Sequence, residues 1–397
     1  MSTRLADPRL SILFTTPWDE RYGGVTHVVA SLAESLEERG HSVTFLFPSE
    51  TRFSIRLGKS QRGFSSIYCR LRGFPARDAS WRARLGWYST VWTTLPQLVR
   101  HLRKLAINVV NVHYPAESTS LMVDVARKLG APLVVSAHGS DLLHDLGPLR
   151  GPGLLRLLDH ADSVVVPSMT FQARVAEEYE QVRGKIQHIY NGYDEREIAT
   201  AAKQACEQQR STPTAICIAA LKPKKGIDVL LRAMSQVRTQ DLHVKVIGDG
   251  PLRSELESQR DAMGLAHRVS FVGPKERTAV FAELAACDFL VMPSRHDSES
   301  FGLACLEAMA FAKPVVASAI GGLRELVDDG ETGFSVPPDD PKALARAMDA
   351  LASNEELRVR LGEGGQRKAR RFTTKETADA YELLFRRLVS QRTTPSK

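Results

Sequence analysis

Apolar residues recur along this chain in short runs, separated by segments in which they return at helical spacing. Runs at 10–14, 42–47, 65–69, 109–113, 133–137, 163–166 and 186–190 predict one set of strands. Runs at 214–219, 244–247, 269–272, 288–292 and 315–317 predict a second. Strands that are apolar at successive positions are covered on both faces, the habit of parallel sheets. Between the runs, 25–38, 88–105 and the stretch after Gly302, with Leu303, Leu306 and Ala310, carry a helical period. The alternation predicts an α/β protein of two Rossmann-like, doubly wound domains. Helices at about 341–352, 355–371 and 374–388 close the pattern, followed by a polar tail from Ser390.

The pattern is interrupted once. The turn sequence N-G-Y-D at 191–194 leads into a polar, Gln-rich stretch at 199–213, which reads as a connection. The expected organisation is an N-terminal domain at 1–195, a linker at 196–213, a C-terminal domain at 214–372, and a last helix with its tail at 373–397.

Composition agrees with two soluble cores. The chain has 397 residues, 43% of them hydrophobic and 25% charged, enough for two domains. No apolar run approaches the roughly 18 residues that span a bilayer, and the start carries no apolar signal region. Five cysteines lack C-x-x-C spacing, which indicates neither a disulfide framework nor a zinc site. A reducing cytoplasm is the simplest expected location.

Charge changes the picture locally. The net +7 conceals twelve Lys or Arg against one acid, Asp78, between positions 52 and 104, an excess of +11 that leaves the rest of the chain at −4. The same segment holds Trp81, Trp87, Tyr88 and Trp92, the remaining tryptophan being Trp18. Basic residues mixed with interfacial aromatics suit an anionic membrane surface, with the protein peripheral on its cytoplasmic face. A solvated basic face is the plainer reading. No nucleic-acid motif accompanies the patch, and nucleic acid is not expected as a partner.

Candidate chemistry centres on 292–309, MPSRHDSESFGLACLEAM. Glu299 and Glu307 stand eight residues apart across a turn containing Gly302, between a strand and a helix. The N–H groups of Phe301, Gly302 and Leu303 mark a helix start, where the macrodipole favours an anion such as phosphate. Eight helical residues would span at most roughly 12 Å, enough to bracket a nucleoside diphosphate, with a carboxylate on the vicinal hydroxyls of a ribose. Read alone, Glu307 is equally a solvated helix residue and Glu299 a loop charge. Lys225, ahead of a helix near Gly226, is placed to neutralise a diphosphate or is one of a solvated lysine cluster. His138 follows a strand end, where sheets of this kind place ligands; read alone it is a helix-capping or merely exposed residue. Gly24, in the loop after the first strand, lets a phosphate or sugar approach, or serves a plain turn. Gly248-Asp249-Gly250-Pro251 lacks G-x-G-x-x-G spacing, which disfavours a dinucleotide oxidoreductase; Pro251 is expected to open a helix.

The central stretch resembles the signature of the retaining family 4 glycosyltransferases, which have the GT-B fold. The likeness rests on Pro293-Ser294, Phe301-Gly302-Leu303 and Glu307-Ala308-Met309, and continues through Lys313-Pro314-Val315-Val316-Ala317, Gly321-Gly322-Leu323-Arg324-Glu325 and Gly333-Phe334. It covers nearly the whole chain, strongest over 219–338 and weakest over 51–105. The resemblance implies two facing domains with a cleft between them, and a last helix that packs back on the first domain. It also implies transfer of a sugar, with retention, from a nucleoside diphosphate to a lipid-linked or saccharide acceptor in glycan, polysaccharide or glycolipid biosynthesis. No cofactor and no metal ion are expected.

By this resemblance Glu299 meets the donor sugar's hydroxyls and Glu307 the ribose. Lys225 and the amides after Ser300 meet the diphosphate, the backbone at Val272 the nucleobase, and Gly24 and His138 the reacting sugar. One departure is Ala220, where the family usually has an arginine sharing the diphosphate. Lys222, Lys224 or Arg295 fills the gap, or turnover is weakened. A nucleotide-sugar epimerase of the same fold and a non-catalytic nucleotide-sugar-binding subunit are the alternatives.

Overall fold

The computed structural model describes residues 9–16, 24–49, 55–76, 78–144, 147–204, 212–296 and 299–393. Trp18, Gly23, Arg52, Cys206, the 205–211 part of the expected linker and the end of the tail lie outside the described residues. The chain divides into two compact units, 1–190 with 374–397, and 191–373.

The first unit opens with β1 (Ser11–Thr15), α1 (Gly24–Glu38), β2 (Ser42–Pro48), β3 (Arg56–Lys59), β4 (Ser65–Cys69) and α2 (Trp81–Lys104). Next come β5 (Val109–His113), α3 (Met122–Leu129), β6 (Leu133–Ser136), a short hairpin of β7 (Leu143–His144) and β8 (Gly147–Pro148), and α4 (Pro152–His160). It continues with β9 (Ser163–Val166), α5 (Met169–Glu178) and β10 (Ile186–His188). The main sheet has the order β10-β9-β6-β5-β1-β2-β4-β3, parallel except where β3 joins β4. Every residue of β5, β6 and β9 is buried, as continuous apolar runs demand when helices cover both faces.

The second unit holds α6 (Glu195–Gln204), β11 (Thr214–Ile218), α7 (Ile227–Met234), β12 (His243–Ile247), α8 (Arg253–Ala262), β13 (Val269–Gly273) and α9 (Arg277–Ala286). It goes on through β14 (Phe289–Met292), α10 (Leu303–Ala310), β15 (Val315–Ser318), α11 (Leu323–Leu326), β16 (Gly333–Val336), α12 (Pro341–Ser353) and α13 (Glu355–Ala369). Its sheet is wholly parallel, in the order β13-β12-β11-β14-β15-β16. The strand order therefore reverses between β11 and β14, and the crevice beyond the carboxyl ends of such a pair is where ligands bind in open α/β sheets.

The last helix, α14 (Thr374–Thr393), belongs to the first unit. Its Ala378, Tyr381, Leu384, Phe385 and Leu388 share one buried cluster with Leu10, Ile12, Phe14 and the α1 residues Val29, Leu32 and Leu36.

Several boundaries differ from the sequence pattern for physical reasons. Strand β3 is exposed at all four positions, so it has no apolar signature; it is an edge strand blunted by Arg56 and Lys59. Helix α2 starts at Trp81, earlier than the period predicts, capped by Ser80, whose Oγ accepts from the Ala83 N–H at 3.4 Å. Its first turns expose Trp81, Leu85 and Tyr88 beside Arg82 and Arg84, so no apolar-in, polar-out period marks them. Helix α6 occupies part of the expected linker and is bonded to α9 through Glu197 and Arg277. Pro251 sits in a turn two residues ahead of α8 instead of opening the helix. Residues 390–393 continue α14 where a tail was expected.

Tyr179 caps α5 and is fully buried, its hydroxyl donating to the Leu142 and Leu149 carbonyls at 2.8 and 2.5 Å. It pins the chain that follows β6. Tyr179→Phe removes this tie, leaving the Leu142 carbonyl with the Leu149 N–H alone, and is expected to lower unfolding free energy by about 0.5–1.5 kcal/mol, read as a lower midpoint in equilibrium denaturation.

Candidate active site

In the second unit the loops after β11 and β14 interlock at the reversal of strand order. Residues Pro223–Lys225 form a single 3-10 turn ending at Gly226, which has φ +62°. A Cβ there would lie 2.0 Å from the Pro293 carbonyl oxygen, so only glycine lets the loops meet. They are stitched by the Arg295 N–H donating to the Lys224 carbonyl at 2.8 Å. Across this junction Lys225 Nζ donates to Glu299 Oε2 at 2.5 Å, and Ser294 Oγ donates to the same oxygen at 3.2 Å. Both charged side chains are largely enclosed, at 20% and 13% exposure. Burial pushes the Glu299 carboxyl up, but Lys225, then Ser294 and Lys224, outweigh it and hold the group below its ordinary value.

The chain then turns through Ser300 to Gly302, whose φ of +98° starts α10 at Leu303. Phe301 is buried, its ring against Phe372, so what it offers a ligand is backbone. A loop from β15 supports this turn: the Gly322 N–H donates to the Glu299 carbonyl at 2.9 Å. The amino end of α10 therefore faces the same sheet edge as Lys225, with its dipole favouring anions.

Glu307 lies one turn further into α10, buried at 8% exposure. Arg277, the first residue of α9, donates to Glu307 Oε1 at 2.8 Å and to Glu197 Oε2 at 2.8 Å, with its guanidinium over the Phe281 ring. A lone arginine at a helix start gives no sequence signal, and Arg277 was not singled out there. Val272 is half-exposed in the edge strand β13.

The residues around Ala220 are now placed. Ala220 and Lys222 are exposed. Arg295 is engaged by two carboxylates, Asp228 and Asp339, the latter at 2.6 Å. Burial works against its charge and is outweighed by those partners. Its guanidinium thus ties the β14 loop to α7.

In the first unit the order reverses between β1 and β5. Gly24 is the first residue of α1, after β1, and His138 follows the neighbouring β6. The loop at His138 folds round Asp141, whose carboxylate accepts the His138 N–H at 2.8 Å and the Gly139 N–H at 2.7 Å. Burial pushes Asp141 up to about 6 against four backbone N–H groups that pull it down. Its task in the fold is to shape the turn. His138 is buried and its pKa is pushed down to about 4 by that burial, so the ring is neutral at physiological pH. Its Nε2 lies 3.2 Å from His113 Nδ1, and Tyr114, next in line, holds φ +54°, a costly conformation for a bulky residue.

Two Rossmann-like units, one with a lysine, two carboxylates and a helix amino terminus at its switch point, define a two-unit α/β protein whose second sheet edge has the electrostatics that favour an anion. Comparison with known proteins gives the class a family. The model described as Glycosyl transferases group 1 matches residues 200–368, and that described as Glycosyltransferase Family 4 matches 22–197. An uncharacterized glycosyltransferase of Methanocaldococcus jannaschii is 30% identical over 67% of this chain and 72% of its own. A D-rhamnosyltransferase of Pseudomonas aeruginosa is 30% identical over 69% and 72%. Among solved structures, sucrose-phosphate synthase from Thermosynechococcus elongatus superposes with a TM-score of 0.75 at 23% identity, over 96% of this chain and 100% of that one. Anabaena HepE in complex with UDP and glucose gives 0.72 at 20% identity, over 95% and 99%. The chain belongs to the group 1 glycosyltransferases, and its fold is GT-B.

The Lys225–Glu299 pair is expected to be coupled. Lys225→Met strands a mostly buried carboxylate and should cost about 2–4 kcal/mol, while Lys225→Met with Glu299→Gln should recover most of it in a double-mutant cycle. Because the folded carboxyl titrates below its ordinary 4.5, the pair's stabilisation is present above that value and lost as pH falls through the folded pKa. The acid limb of wild-type stability should flatten in the double variant; additive single losses would refute the coupling.

Proposed function

We propose that this protein is a retaining glycosyltransferase that moves a sugar from a nucleoside diphosphate to an acceptor hydroxyl, without a metal ion or cofactor. The observation that carries this reading is the Lys225–Glu299 pair set against the amino end of α10 at the switch point. A diphosphate placed there takes the lysine's charge, with contacts of about 1.5–3 kcal/mol each. Glu299 is then released to the donor sugar's hydroxyls. Glu307, aligned by Arg277, takes the ribose, and the backbone beside Val272 the base. As the bond from anomeric carbon to diphosphate oxygen breaks, its electrons pass to the phosphate, where Lys225 and the amides of Phe301, Gly302 and Leu303 stabilise them. The acceptor oxygen bonds on the same face, and its proton passes to the leaving phosphate.

With Arg295 engaged by Asp228 and Asp339, exposed Lys222 is the residue to stand in for the arginine missing at Ala220. This departure keeps one other reading in view, a subunit that binds the donor without turning it over.

The acceptor is lipid-linked on this reading, and the enzyme works against an anionic membrane. The first three turns of α2 expose Trp81 (68%), Leu85 (59%), Tyr88 (58%) and Trp92 (80%). The spacing of four, three and four residues puts them in one stripe, with Arg82 and Arg84 exposed to either side. No helix among the described residues is long and apolar enough to cross a membrane; this one has the make-up to lie on its surface.

Two experiments test the reading. Thermal stabilisation by UDP, GDP, ADP and NAD is expected for one nucleoside diphosphate and not for NAD. Glu307→Ala should weaken it about 10–100-fold in Kd, the equivalent of one lost charge-assisted contact. No shift with any diphosphate overturns the donor site, and a shift without sugar transfer favours the binding subunit. For the membrane, sedimentation with phosphatidylglycerol vesicles is expected for wild type, with much less binding to phosphatidylcholine vesicles. Trp81→Ser with Trp92→Ser should abolish it, and binding that survives both changes counts against the stripe.

A further inference from the structure

A buried chain of polar side chains runs through the first unit and ends on His138. Tyr381 of α14 donates its hydroxyl to Ser136 Oγ at 3.0 Å, and Ser136 Oγ donates to Asn111 Oδ1 at 2.9 Å. The Asn111 carboxamide nitrogen lies 3.0 Å from His113 Nε2, and His113 Nδ1 lies 3.2 Å from His138 Nε2. Asn111, His113 and Ser136 are at most 1% exposed, and Tyr381 is 5% exposed. The two imidazoles lie nearly parallel, 5.5 Å apart.

Such a chain has a direction. The Asn111 carbonyl oxygen is taken by the Ser136 hydroxyl, which turns the NH₂ toward His113, and an amide NH₂ only donates. His113 Nε2 must therefore accept. A neutral imidazole that accepts through one nitrogen carries its proton on the other, so His113 donates through Nδ1, and His138 Nε2 accepts in turn. We propose that Tyr381, Ser136, Asn111 and His113 are positioning residues that fix His138 as the neutral tautomer with its proton on Nδ1. The ring then carries its donor at Nδ1, an atom enclosed by the protein, and its Nε2 is occupied and cannot serve as a general base.

The surroundings support neutrality. Burial, and then the neighbouring His138, drive His113 well below its ordinary 6.5, and burial pushes the Tyr381 hydroxyl up, so it stays protonated and able to donate. A second proton on His113 would set an N–H against the Asn111 NH₂. The tautomer does not rest on the proposed transfer reaction.

The test reads the protons directly. Long-range ¹H–¹⁵N spectra of the full chain with labelled histidine, assigned with His113→Gln and His138→Gln, should show both rings neutral at pH 7 with the proton on Nδ1. A proton on His138 Nε2, or a cationic ring, overturns the proposal. Asn111→Leu, and Ser136→Ala should the first fail to fold, cut the chain and are expected to give His138 in both tautomers. A single Nδ1–H form persisting in the folded variant overturns the role of the chain. Because no turnover is measured, a protein that transfers no sugar yet shows these signals keeps the inference and loses only the proposed function.

Discussion

The second unit is organised by a close approach of two loops, and the ion pair across it follows from that approach. Glycine at 226 lets the turn after β11 press on the Pro293 carbonyl, which brings Lys225 to the carboxylate that the β14 loop supplies. Move either loop by the width of a methyl group and the lysine loses its partner. Arg295 with Asp228, and the β15 loop beneath Glu299, brace the same junction from two sides. A cation, a carboxylate and a helix dipole are thus held together before any ligand arrives, which is what electrostatic preorganisation requires.

The two units handle charge in opposite ways. In the second, formal charges are kept ionised by pairing. In the first, burial keeps His113 and His138 neutral, so their rings take part in hydrogen bonds without adding net charge. Asp141 supplies the first unit's turn with a carboxylate spent wholly on backbone N–H groups.

Much of the fold was legible because parallel strands covered on both faces leave unbroken apolar runs, and most strands carry one. What escaped had no such run: β3, exposed throughout, and β16 (Gly333–Val336), only partly buried at its two middle positions. In the candidate site, Glu299, Lys225 and His138 drew notice because each stands next to a turn at a strand end, whereas Glu307, inside α10, stood out only through its spacing from Glu299 and the resemblance of the residues around it. Arg277 could not be read, since its partners Glu197 and Glu307 come from distant segments. Asn111 and His113 did leave a trace: two polar residues at alternate positions of the buried run VVNVH share one face. Their partners Ser136 and Tyr381 are separated from them by sheet pairing and by most of the chain, which no local pattern records.

The placement of α14 has a consequence for biosynthesis. The helix that completes the first unit's core, with Tyr381, Leu384 and Phe385 among the strands and α1, is encoded after the whole of the second unit. At about 5–20 residues per second, the ribosome needs roughly 10–40 s after finishing β10 to deliver it. Through that interval the apolar faces of β1 and α1 that α14 covers wait exposed, while the second unit receives the last of its own sequence before α14 is made and can close first. Vectorial synthesis therefore inverts the order of completion: the half of the protein that emerges first is the half that finishes last, and it is there that a chaperone would find its substrate.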